Sequence, residues 1–109
     1  PDTLLVCGML ANNETGSLFP IPQLAAMAHE VGAFFLCDAT QAVGKIKVDV
    51  AALGVDLLAC SAHKFYGPKG SGALWMAKKA GLKPQALLHG GGQENGWRSG
   101  TLNVPGIVG

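Results

Sequence analysis

Short apolar runs alternate with an amphipathic segment along the first third of the chain. Residues 3–9 are an apolar run typical of a buried strand, and this run stops at the polar cluster of residues 12–16. From Pro22 to Gly32, apolar side chains recur from Leu24 at the i, i+3, i+4 and i+7 positions, which lie on one helix face. The pattern predicts a strand, a loop and an amphipathic helix.

Later apolar runs predict three more strands, at residues 33–37, 57–62 and 73–77, with a short helix at residues 48–54. Alternation of strands and helices favours an α/β fold with a mostly parallel sheet and flanking helices. In such sheets, ligands bind at the carboxyl ends of the strands. The polar residues that follow each strand are therefore the candidates for a site.

Composition and charge narrow the class of protein. The chain is 49% hydrophobic and 14% charged, which suggests strands buried on both sheet faces. A net charge of +1 without a cluster of basic residues gives no reason to expect a nucleic-acid partner. The longest uncharged apolar stretch, Leu4–Ala11, is far shorter than the roughly 18 residues of a membrane-spanning helix, so we expect no membrane partner.

The cysteines bear on the cellular compartment of the protein, and the chain ends bear on whether it is part of a longer chain. Cys7, Cys37 and Cys60 are odd in number and lie in or beside apolar runs, so we expect reduced core thiols and a cytoplasmic protein. The chain starts at Pro1 without Met and ends at Gly109, and we expect it to be a piece of a longer protein.

Polar groups follow three of the predicted strands: Asn13, Asp38, and the group Ser61, His63 and Lys64. A lysine directly after a buried strand is expected to be partly desolvated, which favours the neutral amine that attacks aldehydes. Asp38 is placed to keep a pyridine nitrogen protonated, and Ser61 and His63 are donors suited to a phosphate. The arrangement predicts a cofactor site with Schiff-base chemistry.

Each of these residues has an ordinary structural interpretation. Taken alone, Lys64 is a solvated loop lysine, His63 a structural histidine and Asn13 a turn former. Asp38 alone is about equally well explained as the cap of a helix over residues 40–43.

Zinc is a further alternative, because Cys60 and His63 have metal-type spacing, with Cys37 or His89 as a candidate for a third ligand. We rank it low, since Cys60 is expected to point away from Ser61 within a strand.

Five motifs carry a family resemblance. They are Ala-Asn-Asn-Glu-Thr-Gly at 11–16, Asp-Ala-Thr-Gln at 38–41, Ser-Ala-His-Lys-Phe-Tyr-Gly-Pro-Lys-Gly at 61–70, Gly-Gly-Gly-Gln-Glu at 90–94 and Arg-Ser-Gly-Thr at 98–101. In order and spacing they resemble the cysteine desulfurases of the NifS/IscS type, which are class-V aminotransferases of the pyridoxal-phosphate-dependent fold type I. The resemblance covers almost the whole chain.

The resemblance implies pyridoxal 5'-phosphate as cofactor and a role for each candidate residue. Lys64 would hold the cofactor as a Schiff base and Asp38 would contact its ring nitrogen. Its phosphate would be bound by Ser61 and His63, and its phenolic oxygen side contacted by Gln41 and Asn13. Thr101 would reach the phosphate in the other subunit of a homodimer.

The resemblance also implies a reaction, the removal of sulfur from L-cysteine. The products are L-alanine and an enzyme persulfide for iron–sulfur cluster or thio-cofactor synthesis, with a sulfur acceptor or scaffold protein as partner. Residues 1–109 would be a fragment of the large cofactor-binding domain, inactive alone, because the family's upstream phosphate-binding loop and downstream cysteine loop are not in this sequence.

The sequence departs from the family's motifs at three positions: Ala62 replaces the family's usual Gly, and Asn95 and Trp97 replace residues that are commonly basic.

Two other functions are alternatives to a cysteine desulfurase. One is a related class-V lyase or aminotransferase, and the other is a non-catalytic folding or assembly module.

Overall fold

A four-stranded sheet organises the chain, which a computed structural model describes over residues 2–78 and 81–109. The strand order is β1-β2-β3-β4, with β1, β2 and β3 parallel and β4 antiparallel to β3. The strands are β1 (Leu5–Met9), β2 (Phe34–Asp38), β3 (Leu57–Ser61) and β4 (Gly72–Met76). The helices are α1 (Ile21–Glu30), α2 (Val50–Leu53) and α3 (Val104–Val108), with short 3-10 helices at Ala62–Lys64 and Glu94–Gly96. The prediction of a mostly parallel sheet with flanking helices is confirmed.

Helix α1 forms where the apolar spacing predicted it. Pro22 lies in its first turn, where the missing N–H costs nothing, and Gly32 follows its end with a left-handed φ of 75°. Its buried residues Ile21, Ala25 and Ala28 share one face, and that face packs on β1 and β2. Burial of this stripe fixes the helix across the first βαβ crossover.

The observed strand bounds differ from the predicted ones by one or two residues, because backbone pairing rather than apolarity ends a strand. Strand β3 stops at Ser61, since Ala62 begins a 3-10 helix. The second helix is shorter than the predicted 48–54: Asp49 caps it by accepting from the backbone of Ala51 and Ala52.

Only one face of the sheet is covered by the described residues. Phe35, Cys37 and Leu58 project from that face into the core. On the other face, Leu5 of β1 is 42% exposed and Leu74 of β4 is 59% exposed. The expectation of strands buried on both faces is therefore wrong for this chain, because residues 2–78 and 81–109 place no helix over the second face.

A buried carboxylate joins three elements at the edge of the sheet where β2 and β3 begin. Asp56 is 8% exposed, and its Oδ2 accepts from the backbone N–H of Phe35 at 2.8 Å and lies 2.8 Å from Nε2 of His29 on α1. The backbone of Asp56 also bonds to Phe35 and Ala77. One side chain thus connects helix α1 to the sheet and satisfies a buried donor.

No helix among residues 2–78 and 81–109 is both long enough and apolar enough to cross a membrane.

Replacing Asp56 by Ala is expected to lower the free energy of unfolding by about 2 to 4 kcal/mol, because a buried backbone N–H and a histidine lose their acceptor together. Asp49→Ala is the matched control, since it removes an exposed helix cap and is expected to cost about 1 kcal/mol. Urea unfolding of both variants measures the difference. Equal losses would show that the buried carboxylate is no more important than a surface cap.

Candidate functional site

The carboxyl ends of β1, β2 and β3 meet at one edge of the sheet. Asp38 at the end of β2 is paired with Met9 on one side and Ala59 on the other. Pairing continues into the loops, since Leu10 N donates to Asp38 O at 2.9 Å and Ala39 N donates to Ala59 O at 2.9 Å. The polar segments that follow the three strands therefore leave from neighbouring points, as the sequence predicted.

Asp38 is exposed at this edge and uses one of its two carboxylate oxygens locally. Its Oδ1 accepts from the backbone N–H of Thr40 at 2.9 Å, which starts the turn over residues 40–45. Within the described chain, Oδ2 accepts no hydrogen bond. The capping interpretation and the ligand-binding interpretation of Asp38 are thus compatible, because each needs a different oxygen.

Ser61 lies on the same sheet face as Asp38. Asp38 is paired with Ala59, and alternation along β3 returns to that face two residues later, at Ser61. Strand spacing and rise put the two Cα atoms on the order of 8 Å apart. Cys60, which lies between Ala59 and Ser61 on β3, points to the opposite face. Across one sheet edge, a carboxylate and a hydroxyl therefore face the same space.

Ser61 and His63 form a hydrogen-bonded pair, with 3.0 Å between Ser61 Oγ and His63 Nδ1. If the hydroxyl donates to Nδ1, then Nε2 carries a proton and is a donor; if Nδ1 donates, then the hydroxyl hydrogen is available. Each arrangement leaves the pair with a donor for another group. Such a pair suits an anion.

Lys64 ends the 3-10 helix that follows β3, one residue after His63, and it is exposed. The expectation of a partly desolvated lysine is therefore wrong for this chain: the 3-10 helix carries the side chain beyond the buried part of the strand.

Asn12 and Asn13 have different roles in the loop after β1. Asn12 Oδ1 accepts from the backbone of Glu14 and Thr15 at 2.9 and 3.0 Å, so it builds the turn. Asn13 is exposed and lines an open groove of about 460 Å³ together with Gln41, which is half-buried. The structure therefore brings together the two amides that the sequence analysis assigned to one part of the site.

The turn that carries Gln41 comes close to the segment that carries Lys64 at a glycine. Gly44 has a φ of 78°, and a Cβ there would lie 2.9 Å from Cβ of Phe65. Phe65 follows Lys64 directly, so this is a contact between the turn and the lysine segment. The two can approach this closely because position 44 has no side chain. Sequence reasoning did not identify Gly44, although a glycine inside an apolar turn is a signal of close approach.

Thr101 forms no hydrogen bond with the other candidate residues in the part of the chain that the structure describes. It is exposed, and the segment before it is held elsewhere: Gly100 N donates to Gln93 Oε1 at 2.9 Å, and Gly92 N donates to Ser99 Oγ at 3.3 Å. The two glycine-rich motifs thus form one hydrogen-bonded unit that presents Thr101 outward.

The three cysteines differ in their surroundings. Cys37 is buried, and burial, with a smaller effect from the charge of Asp38, raises the pKa of its thiol to about 11. Cys60 is half-buried, and Cys7 is exposed on the uncovered sheet face. The expectation of three core thiols is therefore wrong for Cys7. Over residues 2–78 and 81–109, no three His, Cys, Asp or Glu side chains come together as metal ligands, so the zinc alternative gains no support.

Comparison with known proteins identifies the family. The class-V aminotransferase family matches residues 1–109. A cysteine desulfurase IscS of Anaeromyxobacter sp. (strain K) is 57% identical over 109 residues, which is 100% of this chain and 27% of that protein. A cysteine desulfurase of Klebsiella pneumoniae is 55% identical, with the same coverage. The chain thus spans about a quarter of the length of the curated relatives it matches.

Solved structures share the architecture. A structure described as SspA in complex with cysteine has a TM-score of 0.91 and 42% identity, covering 99% of this chain and 31% of that one. A NifS-like protein has a TM-score of 0.90 and 46% identity, covering 98% and 29%. The fold is therefore the fold type I of pyridoxal-phosphate-dependent enzymes. The chain belongs to the class-V aminotransferase family.

This family implies pyridoxal phosphate, and the chemistry of the side chains at the sheet edge fits that group. The aldehyde of the cofactor is matched by an amine, and its pyridine nitrogen by a carboxylate. Its phosphate is matched by several hydrogen-bond donors, and its phenolic oxygen by an amide N–H. The site offers one group of each kind, and Asp38 Oδ2 accepts no bond from the described chain.

Gly44→Ala in the complete protein is expected to lower the free energy of unfolding by about 2 to 4 kcal/mol, since it adds left-handed strain to a clash with Phe65. Gly54→Ala is the control: its φ is 67°, but a Cβ there meets nothing within 4 Å, so only about 1 to 2 kcal/mol is expected. Thermal unfolding compares the two. A Gly44 variant as stable as the Gly54 variant would contradict the contact with Phe65.

Cys37 is expected to react with iodoacetamide at pH 8 at least roughly a hundredfold more slowly in the folded protein than after unfolding in guanidinium. The raised pKa leaves little thiolate at this pH, and burial hinders the reagent. Timed mass spectrometry of the Cys37 peptide measures the rate. Equal rates before and after unfolding would show that the thiol is accessible and ionised.

Proposed function

We propose that the complete protein is a pyridoxal-phosphate-dependent cysteine desulfurase and that residues 1–109 are part of its large cofactor-binding domain. It removes sulfur from L-cysteine and leaves L-alanine and an enzyme persulfide, which supplies iron–sulfur cluster or thio-cofactor synthesis. The observation that carries the proposal is that the segments with Asp38, Ser61 and Lys64 meet at one edge of the sheet. The chain in which they meet is 57% identical to a cysteine desulfurase. The structural neighbour in complex with cysteine supports the substrate.

Lys64 and Asp38 hold the reactive part of the cofactor in this proposal. Lys64 would hold the cofactor covalently through Nζ, and its amine, once released, would move protons at the substrate's α-carbon. Asp38 would accept a hydrogen bond from the ring N–H of the cofactor through Oδ2, and its negative charge would keep the proton on that nitrogen. When bound, the cofactor supplies an electron sink for the negative charge that develops on the substrate.

The remaining residues orient the cofactor. The Ser61–His63 pair donates to the phosphate, and its short internal hydrogen bond keeps both side chains in one arrangement. Gln41 and Asn13, which line the same groove, bind the side of the ring that carries the phenolic oxygen. Together these residues would hold the phosphate and the phenolic oxygen side of the cofactor at the carboxyl ends of the strands.

Thr101 contacts the phosphate bound by the partner subunit of a homodimer in this proposal. Its exposure, beside a segment held by Gln93 and Ser99, supports this assignment. A sulfur acceptor or iron–sulfur scaffold protein is the expected further partner. We assign the protein to the cytoplasm, and its free cysteines support that assignment.

Asp38→Asn in the complete protein is expected to retain the cofactor but to slow alanine formation from cysteine by roughly two to four decades, because a neutral amide does not keep the ring nitrogen protonated. Asp49→Asn, which changes an exposed carboxylate in α2's cap, is the control and keeps near-normal turnover. Absorbance of the bound cofactor confirms equal loading. Absence of alanine and sulfide formation by the unaltered, loaded protein would reject desulfurase activity.

A further inference from the structure

One short hydrogen bond in the candidate site belongs to a residue that the proposed function does not use. Nζ of Lys45 donates to Oε1 of Gln41 at 2.6 Å. Lys45 lies four residues after Gln41 at the end of the turn that begins beside Asp38, and both line the groove that also holds Asn13. The lysine side chain is exposed, so burial does not explain its position.

The chemistry of the two groups fixes the orientation of the Gln41 amide. An ammonium group has only donors, so the amide end that faces Lys45 must be the carbonyl oxygen, and the Nε2 hydrogens must lie at the other end. A charged donor also makes the bond stronger than one between neutral groups and polarises the amide. Glu14 lines the same groove, yet Lys45 forms no ion pair with it in the described chain.

The turn itself holds Lys45 in place. Its backbone N–H donates to Ala42 O at 3.0 Å, and Gly44 before it contacts Phe65, so the backbone around Lys45 is fixed to both the sheet edge and the lysine segment. Because the backbone is already fixed, only the rotamer freedom of the lysine side chain is lost when Nζ bonds to Gln41, one turn away.

We propose that Lys45 is a positioning residue that holds the Gln41 amide with its N–H donors directed at the phenolic oxygen of the cofactor. The inference rests on the proposed function, since it takes Gln41 as a contact of that cofactor. Lys45 itself acts through Gln41 and need not touch substrate or cofactor. Loss of its ammonium group leaves the amide able to rotate, and the cofactor then meets a donor or an acceptor at random.

The test is a double-mutant cycle on cofactor affinity in the complete protein. The dissociation constant for pyridoxal phosphate is measured by absorbance titration of the cofactor-free protein. Lys45→Met is expected to weaken binding about fivefold, while Lys45→Arg, which keeps a charged donor, stays within about twofold of the unaltered protein. Lys47→Met is the control for charge, because Lys47 is an exposed lysine of the same segment and is expected to change nothing.

The Gln41→Ala background separates positioning from a general structural role. If Lys45 acts through Gln41, Lys45→Met adds no further loss of affinity in that background. Thermal midpoints of the cofactor-free variants check folding, and Lys45→Ala serves as the second variant if Lys45→Met is unstable.

Two results would overturn the inference while leaving the proposed function intact: unchanged affinity of Lys45→Met when Gln41→Ala is weakened, or an equal loss from Lys45→Met with and without Gln41. Failure of the proposed function is a different result, in which the unaltered protein does not bind the cofactor.

Discussion

Parallel pairing of β1, β2 and β3 is the constraint on which the candidate site depends. Parallel strands end at the same edge of a sheet, and here the pairing continues for one residue beyond the strands through the backbone bonds of Leu10 and Ala39. The chain must then turn away from the sheet at three neighbouring points. The polar residues at those points are therefore brought to one open edge by the pairing of the strands.

Two kinds of contact keep this edge in shape. Local turns place the side chains: Asn12 closes the loop after β1, and the Asp38 carboxylate starts the turn after β2. Contacts between segments set their spacing, as where Phe65 packs against the bare backbone of Gly44. The buried Asp56 stabilises the opposite edge, where it bonds to α1 and β2. The two ends of the strands therefore differ in character, because a buried carboxylate lies at one end and the exposed candidate residues lie at the other.

Much of this arrangement could be predicted from the sequence, because apolar runs locate strands and the residues after them locate a site. Asp38, Ser61 and Lys64 were predicted on this basis. Exposure was harder to predict. Cys7 and Leu74 are apolar, which predicts burial, but both are exposed because no helix among the described residues covers their face of the sheet. Strand ends depend on pairing, which composition does not determine.

The polar contacts within turns were missed for a different reason. The bond from Lys45 to Gln41 and the packing at Gly44 have no periodicity, and neither involves an apolar stripe that sequence patterns detect. Lys64 was predicted to be desolvated because it follows a strand, but the intervening 3-10 helix carries it into solvent. Backbone conformation over three residues thus decides the environment of the proposed cofactor-binding lysine.

Covalent trapping tests directly whether this sheet edge holds pyridoxal phosphate through Lys64. The complete protein is loaded with cofactor, reduced with borohydride and digested, and the modified lysine is identified by mass spectrometry. We expect the reduced cofactor on Lys64 alone, with Lys45 and Lys69 unmodified. Stoichiometric modification of another lysine, with Lys64 unmodified, would contradict this expectation.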